Sequence, residues 1–399
     1  MTPAGESTDA DGSPEDEVVD CDTDAPPSSN VSSTFRTATA DEQPVVRALS
    51  SDSTTRLEGA SSGPRRALVL GGGGVLGFAW IVGALSALQV EAGFDARDVQ
   101  LVVGTSAGAV AAAALGCAVS VDQMRRHHQG IPAPNDPPIT FQYDSTGRGL
   151  PPRPGFGFGS PRLLLGGVRH PRRAPTLLTL TGALPTGRGN LQPVAEMVTG
   201  IAEGAGLAGR WPSRPRPWIV AVDYWTGRRV VFGRDPVGRP GAPDVSLPDA
   251  VVASCSIPAW YPPMRIDGHP YIDGGAASNA SADLLVDQPV DEVYVLAPMA
   301  SIQLDRPRSP VARIERSIRR AITRGVLADV ARLRASGKHV LLVSPGPEDL
   351  EIIGANLMNP RRRTAVLEKA MQTATIAFRE QQVGLRRGQS AQRFRQTRE

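Results

Sequence analysis

The fold is decided by residues 66–77, which read RALVLGGGGVLG. Residues 67–70 form a short apolar run, as a strand buried in a parallel sheet does. Four glycines then allow a tight turn, and from Phe78 to Val90 the apolar residues recur at helical spacing. The stretch therefore predicts a buried strand, a glycine turn and a helix.

A second unit of the same kind follows. Residues 99–103 predict a strand, residues 104–108 read GTSAG, and an alanine-rich helix is predicted over 109–115. Alternating strands and helices build a mostly parallel sheet covered on both faces, so we predict an α/β fold, a three-layer sandwich. Further strands are predicted at 218–222, 230–232, 292–296 and 339–343, and further helices at 191–203, 248–254, 310–336 and 361–387.

Composition divides the chain into a tail and a body. Residues 1–63 contain 13 acidic residues against 3 arginines, a net charge of −10, and since the whole chain carries +3 the remainder carries +13. The tail has few large apolar side chains to offset the entropy of ordering, so we expect a disordered acidic tail. One α/β domain is expected over 64–388, with a frayed tail at 389–399.

Within that domain, residues 132–189 lose clear periodicity and are rich in Pro, Gly and Arg. A segment of this length is typical of a lid or a binding insertion. Its leucine clusters at 163–165 and 177–180 lie near several arginines, which allows two interpretations: a patch that contacts a membrane surface, or a lid packed on the body. Pro171 and Pro175 interrupt any long amphipathic helix and weaken the membrane interpretation.

Several protein classes are disfavoured by composition. No unbroken apolar stretch reaches the roughly 18 residues of a spanning helix, and Met1 is not followed by a basic and then apolar leader. The widely spaced Cys21, Cys117 and Cys255 predict neither a disulfide framework nor a metal site. Basic residues are scattered without an aromatic-studded stripe, which disfavours nucleic acid as a partner. We expect a cytoplasmic protein.

The GTSAG turn carries a candidate nucleophile, Ser106. The pattern G-x-S-x-G, here Gly104 to Gly108, lies between a predicted strand and a predicted helix, the setting in which such a serine is exposed on a sharp, strained turn. The helix behind it places backbone N–H groups and the positive end of its dipole beside the serine. The alternative is a tight structural turn with a serine cap.

A serine hydroxyl needs a base within hydrogen-bonding reach. None of the five histidines lies in an obvious catalytic setting. They are His127, His128, His170, His269 and His339. Asp273 follows an apolar strand end and precedes Gly274 and Gly275, so its carboxylate is the better candidate for the base.

The glycines at 71–77 allow two functions. Gly72, Gly74 and Gly77 fit the dinucleotide pattern G-x-G-x-x-G, but its acidic partner, Glu91 or Asp95, falls at the end of a helix rather than at a strand tip. The alternative is an oxyanion hole, in which backbone N–H groups hold the negative oxygen of an acyl intermediate. The Gly-Ser-Gly turn on the next strand favours the oxyanion hole.

Together these motifs resemble the bacterial patatin-like phospholipase family. Its G-G-G-x-[RK]-G loop is matched by residues 72–77, its G-x-S-x-G serine by Ser106, and its D-G-[GA] aspartate by Asp273. The run ASCSIPAWYPP at 253–263 also resembles the family's A-S-x-x-I-P-x-x-F-P-P. The motif positions also include Gly77, Gly104, Gly108, Gly274 and Gly275.

The resemblance implies a serine lipid acyl hydrolase with a Ser-Asp dyad, which cleaves fatty-acyl esters of phospholipid or neutral lipid through an acyl-enzyme. It implies an oxyanion hole built from the N–H groups of Gly72, Gly73, Gly74 and Ala107, no metal and no organic cofactor. A lipid ester is the expected substrate, with peripheral contact to a membrane surface. Two other functions stay open: a catalytically impaired lipid-binding or scaffold protein, and a nucleotide-binding oxidoreductase.

One position departs from the family pattern. Leu76 stands where the family has a basic residue. An arginine there could pair with a substrate phosphate, and leucine offers no charge. If the side chain faces the substrate, we expect a neutral ester to be preferred over phospholipid. The competing interpretation is that Leu76 packs inward beneath the helix that follows.

Overall fold

The computed structural model describes residues 63–137, 160–163, 178, 181–236, 245–303, 305–307 and 309–396, the last fourteen of these by backbone alone. Residues 1–62 of the predicted acidic tail and most of the 132–189 insertion lie outside the described residues. The same holds for 397–399.

The described residues form eight strands and eight α-helices. The strands are β1 (Arg66–Leu70), β2 (Leu101–Thr105), β3 (Arg216–Asp223), β4 (Arg229–Phe232), β5 (Met264–Ile266), β6 (His269–Asp273), β7 (Glu292–Leu296) and β8 (His339–Val343). The helices are α1 (Gly74–Ala92), α2 (Ala107–Gly116), α3 (Val121–Gln129), α4 (Gln192–Gly204), α5 (Leu247–Cys255), α6 (Pro310–Ala335), α7 (Pro347–Ile353) and α8 (Arg363–Gln396).

All eight strands belong to one sheet. Its order is β5-β6-β3-β2-β1-β7-β8, with β4 paired to β3. Five neighbouring strands of this order, β3, β2, β1, β7 and β8, are parallel. The other three, β4, β5 and β6, are added by antiparallel pairing. A mostly parallel sheet brings the turns after β1, β2 and β7 to the same edge.

Helices cover both faces of the sheet, which confirms the predicted three-layer sandwich. Successive side chains of a strand point to opposite faces. Leu68 and Leu70 of β1 accordingly join a core with α1, α2 and α8, while Ala67 and Val69 join a second core with α6. Burial on both faces explains why these strands read as continuous apolar runs rather than as alternating patterns.

The predicted elements agree with the structure, with shifts at their ends. The strands predicted at 292–296 and 339–343 have the observed bounds, and the helix predicted over 109–115 is extended to 107–116. The last helix was predicted to end at 387 and to be followed by a frayed segment from 389, but its backbone stays helical to Gln396. Gln, Ala and Arg are good helix formers, so they can continue a helix already formed.

Helix α1 lies in the middle of the molecule. By length and composition it could cross a membrane, and the sequence did not predict such a helix. Most of its residues are buried, between the sheet and the helices α2, α3 and α8. A helix that is apolar all round is expected in a protein core as well.

The described part of the 132–189 insertion packs on the body. Leu163 and Leu178 are buried against Val222, Tyr224 and Ile272. The Arg162 guanidinium lies over the ring of Trp225, 4.7 Å from its centroid. These contacts favour the packed-lid interpretation for this part of the insertion.

Gly108 allows α2 to pack against β1. A Cβ atom at this position would lie 1.8 Å from the carbonyl oxygen of Leu70, which is backbone and cannot move aside cheaply. Helix α2 therefore approaches β1 as closely as it does only because residue 108 has no side chain.

We predict that Gly108→Ala destabilises the fold by more than about 2 kcal/mol, since the new methyl group must push α2 from the sheet. The free energy of unfolding in urea measures this. Gly325→Ala on α6 is the matched control, because nothing lies within 4 Å of its Cβ position and alanine favours a helix by roughly 0.5–1 kcal/mol. Equal stability of the two variants would contradict the assigned packing.

Candidate active site

Two of the predicted motifs meet at the carboxyl edge of the sheet. The glycine loop follows β1 and Ser106 follows β2, and these neighbouring parallel strands pair Leu70 with Gly104. Thr105 pairs with Val220 of β3, and on the other side of β3 Ala221 pairs with Asp273. Ser106 and Asp273 therefore lie at nearly the same level across the end of β3.

Ser106 occupies a strained turn between β2 and α2. Its φ of 53° and ψ of −116° lie outside the regions that residues with a Cβ usually adopt. Two hydrogen bonds hold it there. The Ser106 N–H donates to Ser254 Oγ at 2.9 Å, and the Ser254 hydroxyl donates to the Val220 carbonyl at 2.6 Å.

The carboxyl group of Asp273 is buried beside Ser106. Its main chain is fixed by an N–H bond to the Ser256 carbonyl at 3.0 Å, and its Oδ1 accepts the Gly275 N–H at 2.7 Å. Burial raises the pKa of Asp273 to about 6, against the lowering effects of hydrogen bonds from the Ser106 side chain and the Gly275 backbone. The Ser106 side chain is therefore close enough to the Asp273 carboxyl group to lower the pKa of that group.

The chain can approach this closely only with glycine after Asp273. A Cβ atom on Gly274 would lie 2.4 Å from the Val220 carbonyl oxygen. Glycine at 274 is therefore required by sterics, because any side chain there would displace Asp273 from β3.

The glycine loop presents some of its N–H groups to the site and uses others structurally. The Gly71 N–H donates to the Leu296 carbonyl at 2.9 Å, and the Gly72 N–H donates to the Asn279 carbonyl at 3.1 Å. Gly72, predicted for the oxyanion hole, thus has its N–H already engaged, because the chain keeps pairing for two residues after β1. Gly73 and Gly74 have no acceptor for their N–H groups within the described residues.

The remaining glycine positions fit a turn that opens directly into a helix. Gly74 has a φ of 62°, which favours glycine, and it begins α1. Gly77 lies in the first turn of α1 and donates its N–H to the Gly73 carbonyl at 2.8 Å. Ala107, the first residue of α2, has no acceptor for its N–H in the described part of the chain.

Asn279 is a site residue that sequence reasoning missed. Its side-chain nitrogen lies 3.0 Å from the position of a Cβ on Gly72, and Ser106 Cβ lies 3.3 Å from the same point. Its Oδ1 is buried without a hydrogen-bond partner in the described part of the chain. No local pattern marks an asparagine in a loop as a support for a glycine turn more than 200 residues away.

An apolar cavity of about 70 Å³ opens beside Ser106 and Ala107. Its walls include Val75, Phe78, Val110, Val194, Met197 and Met358. The Cys255 thiol also lines it within hydrogen-bonding reach of Ser106, and burial raises the pKa of this thiol, so it stays protonated. The cavity can therefore hold an apolar group of a substrate beside Ser106.

Leu76 faces the core and not the cavity. Its side chain is 0% exposed and belongs to the core between α1 and the sheet, and its N–H donates to the Leu357 carbonyl at 2.9 Å. The expectation that Leu76 selects a neutral substrate therefore loses its basis. The competing interpretation, inward packing, describes the structure.

The residues that other mechanisms require lie elsewhere. None of the described histidines lines the cavity at Ser106. Glu91, at the end of α1, is paired with Arg379, and Asp95 is paired with Arg97, so neither is placed at a strand tip to bind a ribose. Among the described residues, no group of three His, Cys, Asp or Glu side chains could hold a metal ion.

Two segments of the chain match a known protein family. The family model described as patatin-like phospholipase matches residues 68–147 and 176–286. These two segments, a little under half of the chain, are therefore similar to patatin-like phospholipases. No curated protein matches the sequence at a significant level.

Two solved structures are distantly similar. VipD from Legionella pneumophila shares 14% identity and a TM-score of 0.39, with 80% of this chain and 68% of VipD covered. The type III effector protein ExoU shares 15% identity and a TM-score of 0.35, with 79% of this chain covered. The match spans 53% of ExoU, about half its length.

We predict that Leu76→Arg lowers the free energy of unfolding by more than about 3 kcal/mol, because it buries a charge without a partner. Leu76→Met is the control and should lose less than about 1.5 kcal/mol, since it conserves volume. Chemical denaturation of both variants measures the difference. A stable arginine variant with a selective gain on phospholipid would instead show that position 76 faces the substrate.

Proposed function

We propose that this protein is a serine lipid acyl hydrolase in which Ser106 is the nucleophile and Asp273 is its general base. One observation carries the proposal: Ser106 lies at the wall of an apolar cavity, and its side chain is close enough to the buried carboxyl group of Asp273 to lower the pKa of that group. A weak nucleophile, a base and a place for an acyl chain are thereby adjacent.

Asp273 has the pKa that this role requires. With a pKa of about 6 it is mostly ionised at pH 7, yet it is more basic than an exposed carboxylate. As Ser106 Oγ attacks the ester carbonyl, Asp273 accepts the hydroxyl proton. The Gly275 N–H holds the carboxylate in the orientation that this transfer needs.

Attack by Ser106 Oγ on the carbonyl carbon makes the carbonyl oxygen negative. The N–H groups of Gly73, Gly74 and Ala107 are the donors that we assign to this oxygen. Gly74 begins α1 and Ala107 begins α2, so the positive ends of two helix dipoles also meet there. The Gly72 N–H instead holds the loop in place through Asn279.

The reaction then proceeds in two halves. Collapse of the first intermediate expels the alcohol, which takes the proton from Asp273, and leaves the acyl group on Ser106 Oγ. Water attacks the acyl-enzyme as Asp273 accepts its proton; the second intermediate then collapses, Asp273 returns the proton to Ser106 Oγ, and the fatty acid is released. The cavity walls suit an acyl chain, so we propose phospholipid or neutral-lipid fatty-acyl esters as substrates.

Ser106→Ala should lower ester hydrolysis at least about 1,000-fold and abolish labelling by a fluorophosphonate probe. The fold should persist, because the variant keeps the backbone bond to Ser254. Ser278→Ala is a control on the neighbouring loop and should still be labelled. A wild-type protein that folds but is never labelled would support a lipid-binding or scaffold role instead.

The activity should depend on pH through Asp273, since only the ionised carboxylate accepts a proton. We expect kcat/KM to rise about tenfold per pH unit below pH 6 and to level off above it.

Asp273→Asn should lower kcat/KM at least about 100-fold at pH 7, because the amide cannot accept the hydroxyl proton. His269→Ala, four residues earlier, is the control. Loss of activity in the histidine variant with retention in Asp273→Asn would overturn the assignment.

A further inference from the structure

Helix α6 is anchored directly behind the glycine loop. Arg319 donates to the Pro298 carbonyl at 2.6 Å and is 0% exposed. Pro298 in turn packs on the loop, with its Cγ 3.0 Å from the position of a Cβ on Gly73. The part of α6 near Arg319 therefore lies at the same edge of the sheet as Ser106.

The first turns of α6 extend beyond this anchor. Later residues, Val326, Val330 and Leu333, pack on the sheet, so the helix runs from the active-site edge toward the opposite one. At 1.5 Å per residue, residues 310–318 reach roughly 13 Å past Arg319. We call this part, residues 310–320, the α6 projection.

The inner side of the α6 projection is fixed by ion pairs. The Arg316 guanidinium donates hydrogen bonds to the Asp305 carboxylate at 2.5 Å and to the Leu350 carbonyl at 3.2 Å. It also forms an ion pair with Glu315. Arg319 bonds the same Glu315 at 3.0 Å. These buried contacts fix which side of the helix faces outward.

The outer side of the α6 projection is apolar and basic. Val311 and Ile314 are each 65% exposed and Ile318 is 42% exposed, and their spacing places them on one stripe. Arg313 and Arg320 are also exposed, and because each lies two residues from a member of the stripe, they occupy the other flank of the same outer side. The acidic side chain of the projection, Glu315, is buried on the inner side, so its outer side presents cations and no anion.

We infer that the α6 projection docks the protein on an anionic lipid bilayer. The apolar stripe enters the boundary between headgroups and acyl chains, while Arg313 and Arg320 pair with anionic headgroups. Through Arg319 and Pro298 this contact places the edge of the sheet that carries Ser106 against the surface from which lipid is drawn. The inference adds a binding surface to the proposed function and does not require turnover to be tested.

The small apolar area of the α6 projection favours a bilayer over a protein partner. Three partly exposed side chains offer at most a few hundred Å², whereas a stable protein interface needs roughly 800 Å² from each partner. A peripheral membrane contact requires less apolar area when cations add their attraction to anionic lipid. The charge of +13 outside the acidic tail acts in the same direction.

The test is sedimentation of the full chain with phosphatidylcholine vesicles that contain or lack phosphatidylglycerol. Ser106→Ala serves as the background, so that the vesicles stay intact. We expect binding to the anionic vesicles that weakens as salt rises. The triple variant Val311→Ser, Ile314→Ser, Ile318→Ser and the double variant Arg313→Gln, Arg320→Gln should each bind at least about tenfold more weakly.

Matched controls lie at the opposite edge of the sheet. Val90→Ser removes an apolar side chain that is 76% exposed at the end of α1, and Arg210→Gln removes an exposed arginine after α4; both should bind as the background does. With Ser106 restored, turnover on a soluble short-chain ester should be unchanged in the double variant. That result separates a docking defect from a failure of the proposed chemistry.

Several results would overturn the inference. They are absence of vesicle binding, full binding by both the triple and the double variant, and equal loss in the controls. Concentration-dependent self-association that the triple variant abolishes, without vesicle binding, would assign the surface to a second copy of the chain instead.

Discussion

The site depends on the burial of one carboxyl group beside one hydroxyl group. Taking Asp273 out of water raises its pKa to about 6, and the hydrogen bonds from Ser106 and the Gly275 N–H keep that pKa from rising further. The balance leaves a carboxylate that is ionised near neutral pH and is still a useful base. It requires close contact between β6 and β3, which in turn requires a glycine at 274.

The strain at Ser106 is compensated by neighbours from distant parts of the sequence. Ser254 accepts the Ser106 N–H and donates to β3, so helix α5 holds the turn that β2 and α2 form. On the other side, the main-chain carbonyl of Asn279 accepts the Gly72 N–H. Turns of this kind persist only where the surrounding structure fixes them, and here the supporting groups come from the segment around Asp273.

The same packing relates the chemistry to the outer surface of the protein. Pro298 contacts the glycine loop on one side and accepts a hydrogen bond from the buried Arg319 on the other. The glycine loop and the α6 projection therefore form one connected unit. A surface that binds the projection would therefore also lie near the edge of the sheet where α1 and α2 begin.

Six of the eight described strands could be predicted from the sequence, because each contains a short local run of apolar residues. Strands β5 and β6 are not continuous apolar runs, and their bounds were not predicted. The similarity to patatin-like phospholipases could also be predicted, since Gly72 to Gly77, Ser106 and Asp273 lie in short motifs whose spacing is visible along the chain. Several features depend on contacts between segments far apart. They are the engagement of the Gly72 N–H by Asn279, the support of Ser106 by Ser254, the inward orientation of Leu76 and the burial that sets the pKa of Asp273. A local pattern specifies backbone angles and which face is apolar, but only the assembled sheet determines which groups lie across from one another and how much water remains between them.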